Sequence, residues 1–206
     1  LSTTVVEVKG RPRVSSVVLA NVDDNKTPIM STAREIKCDT LLLSVGLLPE
    51  NELSRGAVEM CGATGGAAVD DGFMTSRDGV FMCGNCLHVH DLVDYVSSEA
   101  EAAGRAAARY VIEGGGRADA VSVTTSGGIR YCVPQRITRS GEGKLTLRMR
   151  VASPKRKCKI AVIADGQEVL VKPRPIVTPG EMEVIELDNE RAKAVRSAKS
   201  VDIRLV

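Results

Sequence analysis

The segment VFMCGNCLHVHD, residues 80–91, places two cysteines and two histidines within eight positions: Cys83, Cys86, His88 and His90. Thiolates and imidazoles are zinc ligands, and a C-x-x-C pair can also cycle between dithiol and disulfide. A four-ligand zinc site usually separates its ligand pairs by a loop that wraps the ion, whereas here one short stretch would supply every ligand. No metal site is therefore assigned. A redox dithiol needs its first cysteine at a helix start, where the dipole lowers the thiol pKa. Cys83 instead ends an apolar stretch well ahead of the next helical pattern, and it reads as a small buried apolar side chain.

The elements around this segment set its position. GVFMCGN, 79–85, has the form of a short buried strand entering a glycine turn. DYVSSEAEAAGRAAARYVIEGGG then reads as a helix stopped by Gly114–Gly116, with Ala100, Ala103 and Ala107 as a small-residue face and Gly104 as a close-contact point. Residues 1–46 read as three strands. TTVVEVKG and RVSSVVLANVDDN form a hairpin around Gly10–Pro12, and EIKCDTLLLSVG is an apolar run of buried-strand type. From about 121 the pattern is all-β. KLTLRMRV alternates, with Leu145, Leu147, Met149 and Val151 on one face. KIAVIADGQEVLVK is a hairpin turning at Asp165-Gly166, a dipeptide suited to positive φ. EMEVIEL and SVDIRLV add strands, with a short helix between them capped by Asp188.

Composition narrows the function classes. The chain has 206 residues, 43% hydrophobic but only 2% aromatic, so base-stacking surfaces are scarce and nucleic-acid binding is not expected. No apolar run approaches the roughly 20 residues of a membrane span, and no secretory leader is visible. Six scattered cysteines lack the density of a secreted disulfide scaffold, which points to free thiols and a cytoplasmic setting. The chain opens on Leu1 inside a strand pattern, so a longer polypeptide is expected. Charge is unevenly spread: residues 1–120 carry 11 Lys and Arg against 17 Asp and Glu, and residues 121–206 carry 17 against 9. Such opposed halves suit domains that attract one another or bind separate partners.

Two motifs, in order and register, carry a family resemblance. MTSRDGVFMCGN, with Thr75, Ser76, Gly79, Val80, Phe81 and Gly84, resembles the T-S-x-x-G-(V/I)-(F/Y)-A-x-G-D flavin motif of the pyridine nucleotide-disulfide oxidoreductase superfamily. Asn85 stands where that motif has Asp. CDTLLLSVGLLPEN, with Cys38, Asp39, Gly46, Pro49 and Asn51, is similar to the segment by which those proteins pass from the NAD(P)-binding to the FAD-binding domain. The helix that follows is similar to the one whose N-terminus faces the flavin pyrimidine edge. The wording around His88 and His90 also resembles a branch that includes the FAD subunits of opine, amino-acid and hydrogen cyanide-forming dehydrogenases.

The resemblance implies an FAD-dependent oxidoreductase, with NAD(P) as a second cofactor. It implies that Gly84 and Asn85 contact the ribityl and phosphate oxygens, and that the backbone at Asp94, Tyr95 and Val96 faces the flavin. Asn85 keeps hydrogen-bonding capacity but loses the charged acceptor. His88 and His90 fall between these points and are the catalytic candidates, since imidazole titrates near neutrality. No G-x-G-x-x-G follows a strand anywhere in the chain. The expected fold is accordingly α/β plus all-β. Residues 1–46 end an NAD(P)-binding-type domain, 47–116 form the C-terminal part of an FAD-binding, Rossmann-like domain, and 121–206 form a small β-sandwich-like domain. Such a fragment is expected to be inactive alone and to need the N-terminal portion of the same protein, with a partner subunit or a second copy as a further option. No membrane partner is expected. The competing expectation is a non-catalytic interaction module with a vestigial flavin motif.

Overall fold

The computed structural model describes residues 2–206, which fall into two compact units, divided in sequence between Gly46 and Leu47. The first unit is an antiparallel meander of β1 (Thr3–Lys9), β2 (Ser16–Val22) and β3 (Pro28–Lys37), in that order. In β2 only Ser16, Val17 and Ala20 are buried, while β3 is exposed along its length. Gly10 makes the first turn at φ +104°, and a Cβ there would lie 2.2 Å from the Arg13 carbonyl oxygen. Only glycine fits.

The third strand differs from expectation. It ends at Lys37, and the apolar run Thr40–Gly46 has no regular structure, leaving Leu42 89% and Val45 81% exposed. An apolar strand of this kind persists only with neighbours on both edges and cover on both faces. None of the described strands pairs with it. The partner of β2 comes instead from Pro28–Lys37, because Asp23 closes a tight turn by accepting the Asn25 and Thr27 N–H groups on Oδ1.

In the second unit, residues 47–83 run mostly without regular structure, linked by single bridges at Arg55–Val58, Met60–Ala67 and Met74–Phe81. A 3-10 turn, Gly84–Cys86, leads by a loop into α1 (Val93–Ile112). The buried face of α1 is Glu99, Ala103 and Ala106, so Ala100 lies outside it, exposed, and the face is offset by one position from the expected stripe. Nothing lies within 4 Å of a Cβ built on Gly104, which is therefore no contact point.

Eight strands and one helix follow: β4 (Ala120–Ser126), β5 (Ile129–Val133), β6 (Arg136–Thr138), β7 (Leu145–Val151), β8 (Lys155–Ala164), β9 (Gln167–Val177), β10 (Glu183–Leu187), α2 (Asn189–Ser197) and β11 (Val201–Leu205). They make a three-stranded sheet, β10-β7-β5, and a five-stranded sheet, β6-β4-β11-β8-β9, in which β11 is parallel to β4 and antiparallel to β8. The two sheets share one core, with Leu145, Leu147, Met149 and Val151 from β7 facing Ile160, Val162, Val201 and Ile203. The β8–β9 hairpin turns at Asp165 and Gly166 with φ of +48° and +81°, as the dipeptide predicts. Asp188 caps α2 by accepting the Arg191 N–H. Among the described residues no helix is long and apolar enough to cross a membrane.

The two charge-opposed halves of the sequence meet inside this second unit. Arg136 pairs with Glu59 at 3.2 Å, Arg196 with Asp71 at 3.0 Å, Arg150 with Asp91 at 2.5 Å and Arg148 with Glu99 at 3.8 Å. Each arginine follows residue 121 and each acid precedes residue 100. Tyr131 and Val133 of β5 extend the contact by packing in one cluster with Val69, Phe73, Met82, Leu87 and Ala103. The apolar cluster supplies the attraction by burial, and the ion pairs fix its register.

Candidate functional site

The T-S-R-D-G segment folds as a tight reversal. Thr75 N–H donates to Val80 O, Arg77 N–H to the Thr75 hydroxyl, and Met82 N–H to Phe73 O. This delivers Cys83 and Gly84 to the 3-10 turn. Gly84 adopts φ +71°, and its carbonyl accepts the N–H groups of both Leu87 and His88. A Cβ on Gly84 would reach 3.4 Å from Val96 Cγ1, so the turn lies against the first turn of α1. Asn51, buried, donates Nδ2 to Gly65 O at 2.9 Å and to Cys86 O at 2.8 Å, tying the P-E-N segment to the same turn.

Of the residues expected to meet a cofactor, Gly84 is buried, Val96 is half-buried, and Asn85, Asp94 and Tyr95 are exposed. The Asn85 Oδ1 is already committed, accepting the His90 N–H at 3.1 Å. An aspartate would accept the same bond, so this sequence keeps the loop contact without the charge. The helix behind it begins at Val93, after the extended N-cap Leu92, whose side chain makes no capping bond. The first N–H groups of α1 thus meet the positive end of the helix dipole without side-chain satisfaction, an arrangement suited to a negative or carbonyl-bearing edge.

His88 and His90 lie elsewhere than on an open surface. Both are buried and turned toward Glu99, which is 0% exposed. Glu99 accepts the Gly84 N–H on Oε1 at 2.7 Å and the His88 Nε2–H on Oε2 at 3.0 Å. His90 Nε2 stands 3.3 Å from Oε1, at ion-pair distance without hydrogen-bond alignment, and the Arg148 guanidinium is 3.8 Å from Oε2. The ring of Tyr131 meets His88 edge-on at 6.1 Å. Burial pushes the Glu99 carboxyl up, yet its contacts with His88 and His90 and the Gly84 N–H outweigh that and bring it down to about 2. Burial pushes the His88 imidazole down against the pull of Glu99. A neutral His88 donating to an ionised Glu99 follows.

His88, His90 and Glu99 offer three ligand atoms within 4.8 Å of one another. The carboxylate is already balanced by Arg148 and bonded to Gly84, so the group reads as a buried hydrogen-bond centre that supports the turn. Cys83 and Cys86 stand apart from it. Burial and the nearby Glu99 push the Cys83 thiol up, opposite to the shift of a reactive thiolate, and the Cys86 thiol points to Cys83 O at 3.0 Å. Glu99 and Arg148 escaped the sequence reading because a glutamate in a Glu- and Ala-rich helix, or an arginine alternating along a strand, reads as solvated. Their signal was position: Glu99, Ala103 and Ala106 share one helical face.

Residues 1–107 match the family described as pyridine nucleotide-disulphide oxidoreductase. Over 111 residues, 53% of this chain, the sequence is 32% identical to a thioredoxin reductase of Treponema pallidum (strain Nichols). The chain spans 34% of that relative's length.

Proposed function

The chain belongs to the pyridine nucleotide-disulphide oxidoreductase family, and on that premise we propose that it forms the ribityl- and pyrimidine-facing side of an FAD site in a larger oxidoreductase. The observation that carries this reading is the pairing of the Gly84 turn with the uncapped start of α1. FAD, when bound, accepts and passes on an electron pair, with NAD(P) or a reduced substrate as the other party. Gly84 leaves the turn free of a side chain. Asn85 keeps an exposed amide for a ribityl hydroxyl while its oxygen holds the loop, and the backbone at Asp94, Tyr95 and Val96 presents the positive helix end. His88 and His90, both buried against Glu99, hold and orient this platform from below.

In this proposal residues 1–46 belong to an NAD(P)-binding-type domain and 47–116 to the FAD domain. The pyrophosphate-binding glycine fingerprint comes from another part of the polypeptide, so the 206-residue chain alone is inactive. The test is flavin content in the native gene product, purified from its source cells. A flavin absorbance in stoichiometric amount is expected, and Asn85→Leu should raise flavin loss on dialysis about fivefold, the worth of one neutral hydrogen bond. A flavin-rich protein indifferent to Asn85→Leu would count against the residue assignment. A second reading, a non-catalytic interaction module that keeps the turn for packing alone, is favoured by Asn85 standing where the family motif has Asp. A native product free of flavin decides for it.

A further inference from the structure

The outer face of β7 is charged, as alternation requires, but it does not face water. Arg148 and Arg150 are half-buried, because the loop between the Gly84 turn and α1 lies across them. Arg150, whose side chain is 13% exposed, donates Nη2 to Val89 O at 3.0 Å and to Asp91 Oδ1 at 2.5 Å, and Nη1 to Pro179 O at 3.3 Å. The second Asp91 oxygen accepts the Met182 N–H at 2.7 Å, just ahead of β10. Two residues earlier on the same strand face, Arg148 meets Glu99, which holds Gly84 and His88. Asp91 directly precedes Leu92, the residue from which α1 starts. The loop therefore has one attachment at each end, and both run to β7.

We infer that β7 is a clamp for the cofactor loop. Arg150, through Val89 and Asp91, and Arg148, through Glu99, are positioning residues that set where the loop 84–92 lies and where the N-terminus of α1 points. The guanidinium fork suits this task, since one planar group bonds a main-chain carbonyl and a carboxylate together. This gives the C-terminal β region a positioning role. It does not add chemistry; it holds the loop. The clamp stands on the Arg150 and Asp91 hydrogen bonds and the Arg148–Glu99 ion pair, while its bearing on flavin rests on the reading proposed above.

The test is amide hydrogen exchange on the 206-residue chain, comparing wild type with Arg150→Met, Arg150→Lys and Asp91→Asn. Loss of a charge-assisted attachment should speed exchange over residues 84–95 about tenfold or more, with exchange in β8 and β11 unchanged. Arg150→Lys, which keeps the charge and loses the fork, should fall between. If Arg150→Met loosens β8 and β11 as well, Asp91→Asn decides, because it leaves β7 intact. Unchanged exchange over 84–95 in Asp91→Asn overturns the clamp. The same substitution in the native gene product separates the two claims. A wild type without flavin defeats the proposed function and leaves the clamp standing on exchange. A flavin-bearing wild type whose Asp91→Asn form exchanges faster yet keeps flavin as tightly overturns the clamp's role toward the cofactor.

Discussion

Replacing Glu99 with Gln tests the buried centre directly. The carboxylate is fully buried and meets the Gly84 N–H, the His88 Nε2–H and the Arg148 guanidinium. A glutamine oxygen can accept one of these donors, but its amide group then faces another donor. The cost at pH 7 is about 3 kcal/mol, the low end for breaking a buried charged contact, and a large share of a typical domain's stability. The pH dependence gives a sharper check. The folded pKa of Glu99 lies below its ordinary 4.5, at about 2, so its contribution is complete above about pH 4.5 and is lost as pH falls toward 2. The full shift corresponds to about 3 kcal/mol, of which about 2 kcal/mol is gone by pH 3. His88, with its pKa lowered from 6.5 by burial against the pull of Glu99, adds a loss of the same sign that starts below pH 6.5. That loss is larger in the variant, where that pull is gone, so the gap closes less than Glu99 alone would give. Urea unfolding of wild type and Glu99→Gln at pH 7, 5 and 3 should thus show a gap of about 3 kcal/mol that narrows at pH 3 without falling below about 1 kcal/mol. A gap under about 0.5 kcal/mol at pH 7, or one constant across this range, would refute the ionised hub.

Two further substitutions examine the support beneath the turn. Asn51→Ala removes the donors to Gly65 O and Cys86 O and should cost about 2 kcal/mol in thermal or urea unfolding. Asn51→Asp should cost more than Asn51→Ala, because a buried carboxylate would face those same two carbonyls; the reverse order would refute the assigned amide orientation. Gly66→Ala places a Cβ 2.0 Å from Leu87 O and 2.7 Å from Cys86 O, both backbone atoms that cannot step aside. It should destabilise by about 3 kcal/mol and combine less than additively with Asn51→Ala, since both act on the Cys86–Leu87 peptide.

The readable parts of the fold were those fixed by local chemistry. The Asp165-Gly166 turn, the alternation along β7, the Asp188 cap and the span of α1 each follow from residues a few positions apart. The apolar run after Cys38 misled, because its hydrophobicity reports a need for neighbours and not their presence. The parallel pairing of β11 with β4 left no trace, since nothing in VDIRLV distinguishes one long-range partner from another. At the site, the Gly84 turn and the helix start were legible as motifs. The hub was not, because Glu99, Arg148 and Asn51 are polar residues whose burial depends on which distant segments cover them.

The position of β11 also governs the order in which the second unit can assemble. It is the last strand in sequence yet lies between β4 and β8, with Val201 in register with Val123 on one side and Ala164 on the other. As the chain leaves the ribosome, the β8–β9 hairpin can close locally and β6 can pair with β4, but these two pieces expose facing edges with no strand to join them. Sequence-distant closure of this kind is slow. Until residues 201–205 emerge, Val121, Ile160 and Val162 border an open slot whose unpaired strand edges are open to pairing with a neighbouring chain.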